Sequence, residues 1–125
     1  MKSQRLLRQD AAQIWDAALH AVDPESAIRR LVKREGAVLR VQGTPFDLKK
    51  TGRVWILGAG KAAAPMGRAI EKILGRYVSG GILATKYGHS LPLKNLEILE
   101  SGHPFPDANS LASAQRMLFL AKSMI

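Results

Sequence analysis

The sequence contains no cysteine, which excludes both a disulfide-stapled scaffold and a thiolate metal site. It has no apolar run long enough to cross a membrane. Its first ten residues, MKSQRLLRQD, lack the apolar core of a secretory signal peptide. A cytoplasmic protein with no membrane partner is therefore expected.

Aromatic residues are also scarce, at 6% of the chain, although the chain is strongly basic. Lys and Arg total 19 against 10 for Asp and Glu, and the net charge of +9 favours anionic partners. The basic residues are scattered, and no aromatic side chains alternate with them to stack on bases, so we expect no nucleic acid partner. We interpret the densest basic group, Arg29 to Arg34, as a solvated helix face.

The first 50 residues predict mainly helices. With 125 residues, of which 46% are apolar, the chain has the size of one packed domain. Apolar residues recur at helical spacing from Arg5 to Val22, and a second helix is predicted from Pro24 to Gly36. A short strand is expected over AVLRV, residues 37–41, before the turn-rich stretch GTPFDLKKTG. We expect residues 1–50 to form a helical segment that packs on a sheet.

The rest of the chain alternates between strands and helices. Strands are predicted over 53–57, 81–85 and 96–100, with one helix after the first strand and another from about Asn109 onward. Residues 51–125 therefore indicate a partly built α/β domain with a parallel sheet and flanking helices, preceded by two N-terminal helices. The chain stops within an apolar helix with no strand after it, so we expect a truncated domain that self-associates through its unfinished sheet.

The stretch VWILGAGKAAAPMG, residues 54–67, predicts a buried strand, a glycine turn and a helix, which is a phosphate-binding arrangement. It is not a P-loop, because Ala62 follows Gly60-Lys61 where that motif needs Ser or Thr. Gly58, Gly60 and Ala63 fit the dinucleotide fingerprint, but no acidic residue lies between Glu71 and Glu97 to bind a ribose. The motif alone is therefore weak support for a nicotinamide site.

Charged residues follow all three predicted strands, at the edge where ligands bind in parallel sheets. We expect one crevice to be lined by Lys61, Lys86, His89, His103 and Asp107. Four of them have a second interpretation: Lys61 as a solvated lysine, the two histidines as loop-stabilising hydrogen bonders, and Asp107 as the cap of the last helix. The spacing of these residues predicts no metal cage.

The three motifs GAGKAAAPM, TKYGH and GHPFPD, in this order and spacing, resemble the N-terminal part of the glycerate 2-kinases, some of which are labelled hydroxypyruvate reductase. The resemblance runs through essentially the whole chain. It implies the first part of a Rossmann-like domain, followed in the family by further sequence and a second domain. It also implies transfer of the ATP γ-phosphate to the 2-hydroxyl of D-glycerate, with Mg²⁺.

By the same resemblance, Lys61 is the catalytic residue, and Gly58, Gly60, Lys86, His89, His103 and Asp107 form the substrate- and phosphate-binding loops. Lys61 could hold the glycerate carboxylate or a phosphate oxygen, and we favour contact with the transferred phosphate. We expect a histidine or Asp107 to take the hydroxyl proton. This chain alone is expected to be inactive. The alternatives are an NAD(P)H-dependent hydroxypyruvate reductase and a non-catalytic anion-binding module.

Overall fold

The computed structural model describes residues 3–124, which form five helices and six strands together with a short 3₁₀ turn, Gly75–Tyr77. The helices are α1 (Gln4–Ala21), α2 (Pro24–Leu31), α3 (Leu48–Thr51), α4 (Ala63–Leu74) and α5 (Ala108–Lys122). The strands are β1 (Val32–Glu35), β2 (Val38–Val41), β3 (Thr44–Asp47), β4 (Val54–Ala59), β5 (Val78–Lys86) and β6 (Glu97–Ser101). The two predicted N-terminal helices are confirmed.

A small antiparallel sheet, in the order β1-β2-β3, follows the N-terminal helices. The predicted strand over 37–41 is confirmed by β2, but the prediction that the second helix continues to Gly36 is wrong. Val32 begins β1 instead, and it is buried and pairs with Val41 across the hairpin. Gly36 has φ +58° and turns the chain between β1 and β2, because the strand ladder overrides the helical pattern of the preceding residues.

The second sheet is parallel, in the order β4-β5-β6, and confirms the predicted α/β class. Register pairs such as Ala59 with Ala84 and Lys86 with Ser101 bring the carboxyl ends of all three strands to one edge. This order matches the first half of a Rossmann sheet. Strand β5 is longer at both ends than the predicted strand 81–85. It begins at Val78, which already pairs with β4, and it ends at Lys86.

The core lies between this sheet and α4. Leu83 is 1% exposed and belongs to a buried cluster with Leu48, Ala63, Leu74, Val78 and Leu96. Residues of α2 and β1 contact α4, so the N-terminal segment lies against the helix layer. The division of the chain at residue 50 stays a prediction. Within residues 3–124, no helix is long and apolar enough to cross a membrane.

Candidate active site

The glycine turn joins the end of β4 to the start of α4. Gly60 has φ +118°, a conformation that side-chain-bearing residues rarely adopt, and its N–H donates a 3.0 Å hydrogen bond to the carbonyl of Ala84 on β5. At Gly58, an added Cβ would lie 3.0 Å from Cδ2 of Leu83. The two glycines thus let the turn lie close to the sheet and bring it to the carboxyl end of β5.

Lys61 lies in this turn, two residues before α4 begins at Ala63. Its side chain is exposed and has no hydrogen-bond or ion-pair partner among residues 3–124. No side chain caps the first turn of α4. Since the start of a helix attracts anions, and a lysine there increases the positive charge, this turn has the electrostatics of a phosphate site.

The loops that follow β5 and β6 contact each other directly. The hydroxyl of Tyr87 donates a 2.7 Å hydrogen bond to Oδ2 of Asp107 and accepts one of 2.7 Å from Nδ2 of Asn109. The backbone N–H of Tyr87 also donates to the carbonyl of Ser101, at 3.3 Å. Two of the three predicted loops are therefore one connected unit.

Glu100, near the end of β6, holds the loop after β5. One of its carboxylate oxygens accepts hydrogen bonds from the N–H groups of Gly88, at 3.0 Å, and Ser90, at 3.2 Å. Hydrogen bonds from Ser90, and then from Gly88 and His89, lower the pKa of Glu100. Sequence reasoning did not single out this residue. One feature of the sequence could have identified it. Glu100 is an acidic residue near the end of a predicted strand, and the loop after the neighbouring strand carries only basic and neutral residues.

Asp107 caps α5, which is one of the two interpretations that the sequence allowed. Its side chain accepts from the N–H of Ser110, at 2.9 Å, and its own N–H donates to the Ser110 hydroxyl, at 3.1 Å. Hydrogen bonds from the Tyr87 hydroxyl, and then from the N–H groups of Gly102 and Ser110, lower the pKa of Asp107 to about 2. Its carboxylate is therefore already held by several donors and is a weak base.

The tight approach of the third loop explains the glycine of the GHPFPD motif. A Cβ added at Gly102 would lie 2.5 Å from the carbonyl oxygen of Phe105 and 3.1 Å from Cγ of Asp107. Any larger residue would therefore push this loop away from the cap of α5. The neighbouring His103 is exposed.

Lys86 is half-buried at the end of β5, and His89 is exposed in the loop that follows. Across the described residues, no hydrogen bond or ion pair joins Lys61, Lys86, His89 and His103 to one another or occupies their side-chain nitrogens. The fold thus carries all four at one sheet edge, Lys86 at the end of β5 and the other three in loops, and within residues 3–124 their side-chain nitrogens are free for a ligand.

A cavity of about 570 Å³ lies elsewhere, between the sheet and the C-terminal half of α5. It is lined by Trp55, Gly81, Ile82, Glu97, Gln115, Arg116, Phe119 and Leu120. None of the predicted site residues lines it. In the part of the chain that the structure describes, no group of three or more His, Cys, Asp or Glu side chains is placed to hold a metal ion.

A family model described as a domain of unknown function, DUF4147, matches residues 10–125. The chain belongs to this family, the N-terminal domain of the glycerate kinases. This confirms the resemblance on which the site residues were predicted.

Individual relatives agree with the family assignment. The glycerate 2-kinase of Pyrococcus horikoshii is 38% identical over 112 residues, which are 90% of this chain and 24% of that protein. An Agrobacterium vitis protein provisionally named hydroxypyruvate reductase is 34% identical over 88% of this chain and 22% of its own length. The crystal structure of the glycerate kinase from Thermotoga maritima superposes with a TM-score of 0.69 at 32% identity, over 93% of this chain and 25% of that one. The chain thus spans about a quarter of these relatives.

Proposed function

We propose that this DUF4147 domain contributes the phosphate-binding edge of a glycerate 2-kinase, an enzyme that transfers the γ-phosphate of ATP to the 2-hydroxyl of D-glycerate. The observation that carries the proposal is the position of Lys61, which has no partner within the described residues 3–124, beside the start of α4, where no side chain caps the helix. Membership of the glycerate kinase family supports it. In this reaction a bond forms between the glycerate oxygen and the γ-phosphorus, the bond from that phosphorus to ADP breaks, and the hydroxyl loses its proton.

Lys61 is proposed to neutralise the transferred phosphoryl group. The transition state of phosphoryl transfer spreads negative charge over the phosphate oxygens, so a protein accelerates it mainly by positioning and charge stabilisation. A lysine with no internal partner, at the start of a helix, supplies charge without first breaking a salt bridge. Gly58 and Gly60 keep the backbone of this turn close to the sheet, which leaves room for the phosphate.

The histidines are better candidates than Asp107 for removing the hydroxyl proton. The carboxylate of Asp107 is engaged by Tyr87 and Ser110, and its lowered pKa makes it a weak base. The imidazoles of His89 and His103 are exposed, without hydrogen-bond partners in residues 3–124. We assign Asp107 to positioning, since it ties the loop after β5 to the start of α5, and we place Lys86 with the histidines as a substrate-binding residue.

The domain supplies no cage for Mg²⁺ among its described residues, because no three suitable side chains converge and Asp107 is occupied. The Mg²⁺ that the family resemblance implies would be carried mainly by the phosphates of ATP, as is usual for this ion. The relatives are about four times longer, and we propose that this chain alone does not turn over substrate.

The test is a coupled assay with ATP and D-glycerate, run on this chain and on a full-length enzyme that carries it as its N-terminal domain. The proposal expects 2-phosphoglycerate from the long protein and none from the chain. A hydroxypyruvate reductase would instead oxidise NADPH with hydroxypyruvate, and a non-catalytic module would bind anions without either reaction. Reductase activity in the long protein, without kinase activity, would refute the proposed function.

A further inference from the structure

We propose that a second anion-binding site, separate from the sheet edge that carries Lys61, binds the phosphate groups of a small di- or triphosphate. The site is a cavity of about 540 Å³, which we call the Arg34 cavity. It is lined by Arg34, Gly36, Ala37, Lys49, Arg76 and Tyr77. Arg76 and Tyr77 follow the C-terminal end of α4, whereas Lys61 precedes its start. Because a 12-residue helix is about 18 Å long, the two sites are well separated.

The arginines of the cavity are held by neutral groups. Nε of Arg34 donates to the carbonyl of Ile73 in the last turn of α4, at 2.5 Å, and Nη1 donates to the carbonyl of Gly36, at 2.6 Å. The guanidinium carbons of Arg34 and Arg76 lie 5.7 Å and 5.3 Å from the centre of the Tyr77 ring. These contacts orient both guanidinium groups, and among residues 3–124 no carboxylate forms an ion pair with either.

This arrangement differs from that of Arg29, Arg68 and Arg116. Arg29 and Arg68 pair with Glu25, and Arg116 pairs with Glu97 through both of its terminal nitrogens. By contrast, none of the residues that line the Arg34 cavity is acidic. The ammonium group of Lys49 has no partner within residues 3–124. Three positive side chains therefore line one cavity, and none of them forms an ion pair within residues 3–124.

The chemistry of these groups favours phosphate as the ligand. A guanidinium group presents a planar fork of donors that fits phosphate oxygens, and a lysine adds a mobile charge. Like charges that share a cavity repel one another, so a bound anion removes a repulsion as well as forming hydrogen bonds. The cavity has the volume of an ordinary small-molecule pocket. Three basic side chains line this one cavity, which suits a compact anion that contacts all of them at once.

The experiment titrates inorganic tripolyphosphate into the 125-residue chain by isothermal calorimetry at low salt. We compare the unmodified chain with the double variant Lys49→Ala/Arg76→Ala, which leaves the structural contacts of Arg34 intact. Lys50→Ala is the matched control, since Lys50 is an exposed lysine of the same short helix and does not line the cavity. Lys61→Ala removes the lysine of the proposed kinase site and separates the two sites.

In the Lys61→Ala background, where the proposed kinase site is weakened, the proposal expects saturable binding that the double variant weakens at least tenfold, while Lys50→Ala changes the dissociation constant by less than twofold. Absence of saturable binding to the unmodified chain overturns it. Equal losses in the double variant and in Lys50→Ala also overturn it, because they indicate diffuse surface attraction. If only Lys61→Ala loses tripolyphosphate binding, the anion binds at the sheet edge that carries Lys61, and the proposal is again overturned. If the double variant melts at a lower temperature, Lys49→Gln repeats the test, since that ammonium group has no hydrogen bond or ion pair in the described part of the chain to lose.

Discussion

The hydroxyl of Tyr87 donates a 2.7 Å hydrogen bond to Oδ2 of Asp107, which joins the loop after β5 to the first turn of α5. The two residues are 20 positions apart, and each belongs to a motif that marks the family. Because Asp107 also caps α5, one contact couples a helix start to a loop that carries Lys86 and His89. Tyr87 and Asp107 therefore hold two of the three proposed active-site loops in one geometry.

The first prediction concerns the pKa of Asp107 in the variant Tyr87→Phe. The Tyr87 hydrogen bond is the main cause of the pKa near 2, so its loss should raise the pKa towards the ordinary 3.8. Carboxyl carbon chemical shifts followed over pH measure this value. Tyr77→Phe is the control, because Tyr77 is not among the groups that hold Asp107. An unchanged pKa in Tyr87→Phe would contradict the assigned contact.

The lowered pKa of Asp107 also affects the stability of the folded chain at low pH. The pKa of Asp107 is lower in the folded chain than in the unfolded one, so its ionised form stabilises the fold. This contribution is fully present above about pH 4 and is lost as the pH falls through about 2. Chemical unfolding measured between pH 5 and 2 should therefore show that the free energy of unfolding falls less with acid in Asp107→Asn than in the unmodified chain.

The second prediction concerns Lys61 in a full-length enzyme that carries this domain. Replacing Lys61 with Ala should lower kcat for glycerate phosphorylation by about a hundredfold to a thousandfold, the usual effect of removing a group that stabilises transition-state charge. Lys122→Ala, at the exposed end of α5, is the control and should retain the activity. Unmodified turnover in Lys61→Ala would remove this lysine from the mechanism.

The third prediction concerns the contact between Leu83 and Gly67. Leu83 is 1% exposed, and Leu83→Ala should destabilise the domain by about 2–5 kcal/mol, as measured by urea unfolding. Gly67→Ala should also destabilise it, because the new Cβ would lie 2.3 Å from Cδ1 of Leu83. Truncating Leu83 removes that clash, so the double variant should lose less stability than the two single variants added together. Simple additivity would argue against this packing.

The fourth prediction concerns self-association of the chain. Strand β4 lies at one edge of the parallel sheet, with Leu57 43% exposed, and Phe119 on α5 is 77% exposed. We expect light scattering to show oligomers whose mass grows with concentration, and Phe119→Lys to reduce them. Ile14→Lys, at an exposed apolar position on α1, is the control and should have a smaller effect. A monomer at every concentration would contradict the prediction.

Much of the local structure was predictable from the sequence, but β1 was not predicted, and the stretch expected to be turn-rich contains β3 and α3. Apolar spacing identified α1, the strands of the parallel sheet and the helices around it. The glycines of the turn and Asp107 before α5 indicated a phosphate-binding turn and a helix cap. Such signals act within a few residues, so they survive without knowledge of the fold. The second helix was predicted five residues too long, because Val32–Glu35 has helical composition but pairs with a neighbouring strand.

The sequence by itself determined the alternation of strands and helices, the family and the residues that the loops at the sheet edge carry. Only the tertiary structure decided which of these side chains are engaged in hydrogen bonds and which are free to bind a ligand. Tyr87 holds Asp107, Glu100 holds the loop at Gly88 and Ser90, and Arg34 reaches Ile73. Each of these contacts joins residues 10 or more positions apart. Hydrophobic periodicity and local caps carry no information over such separations, so the positions of these groups follow only from how the layers pack.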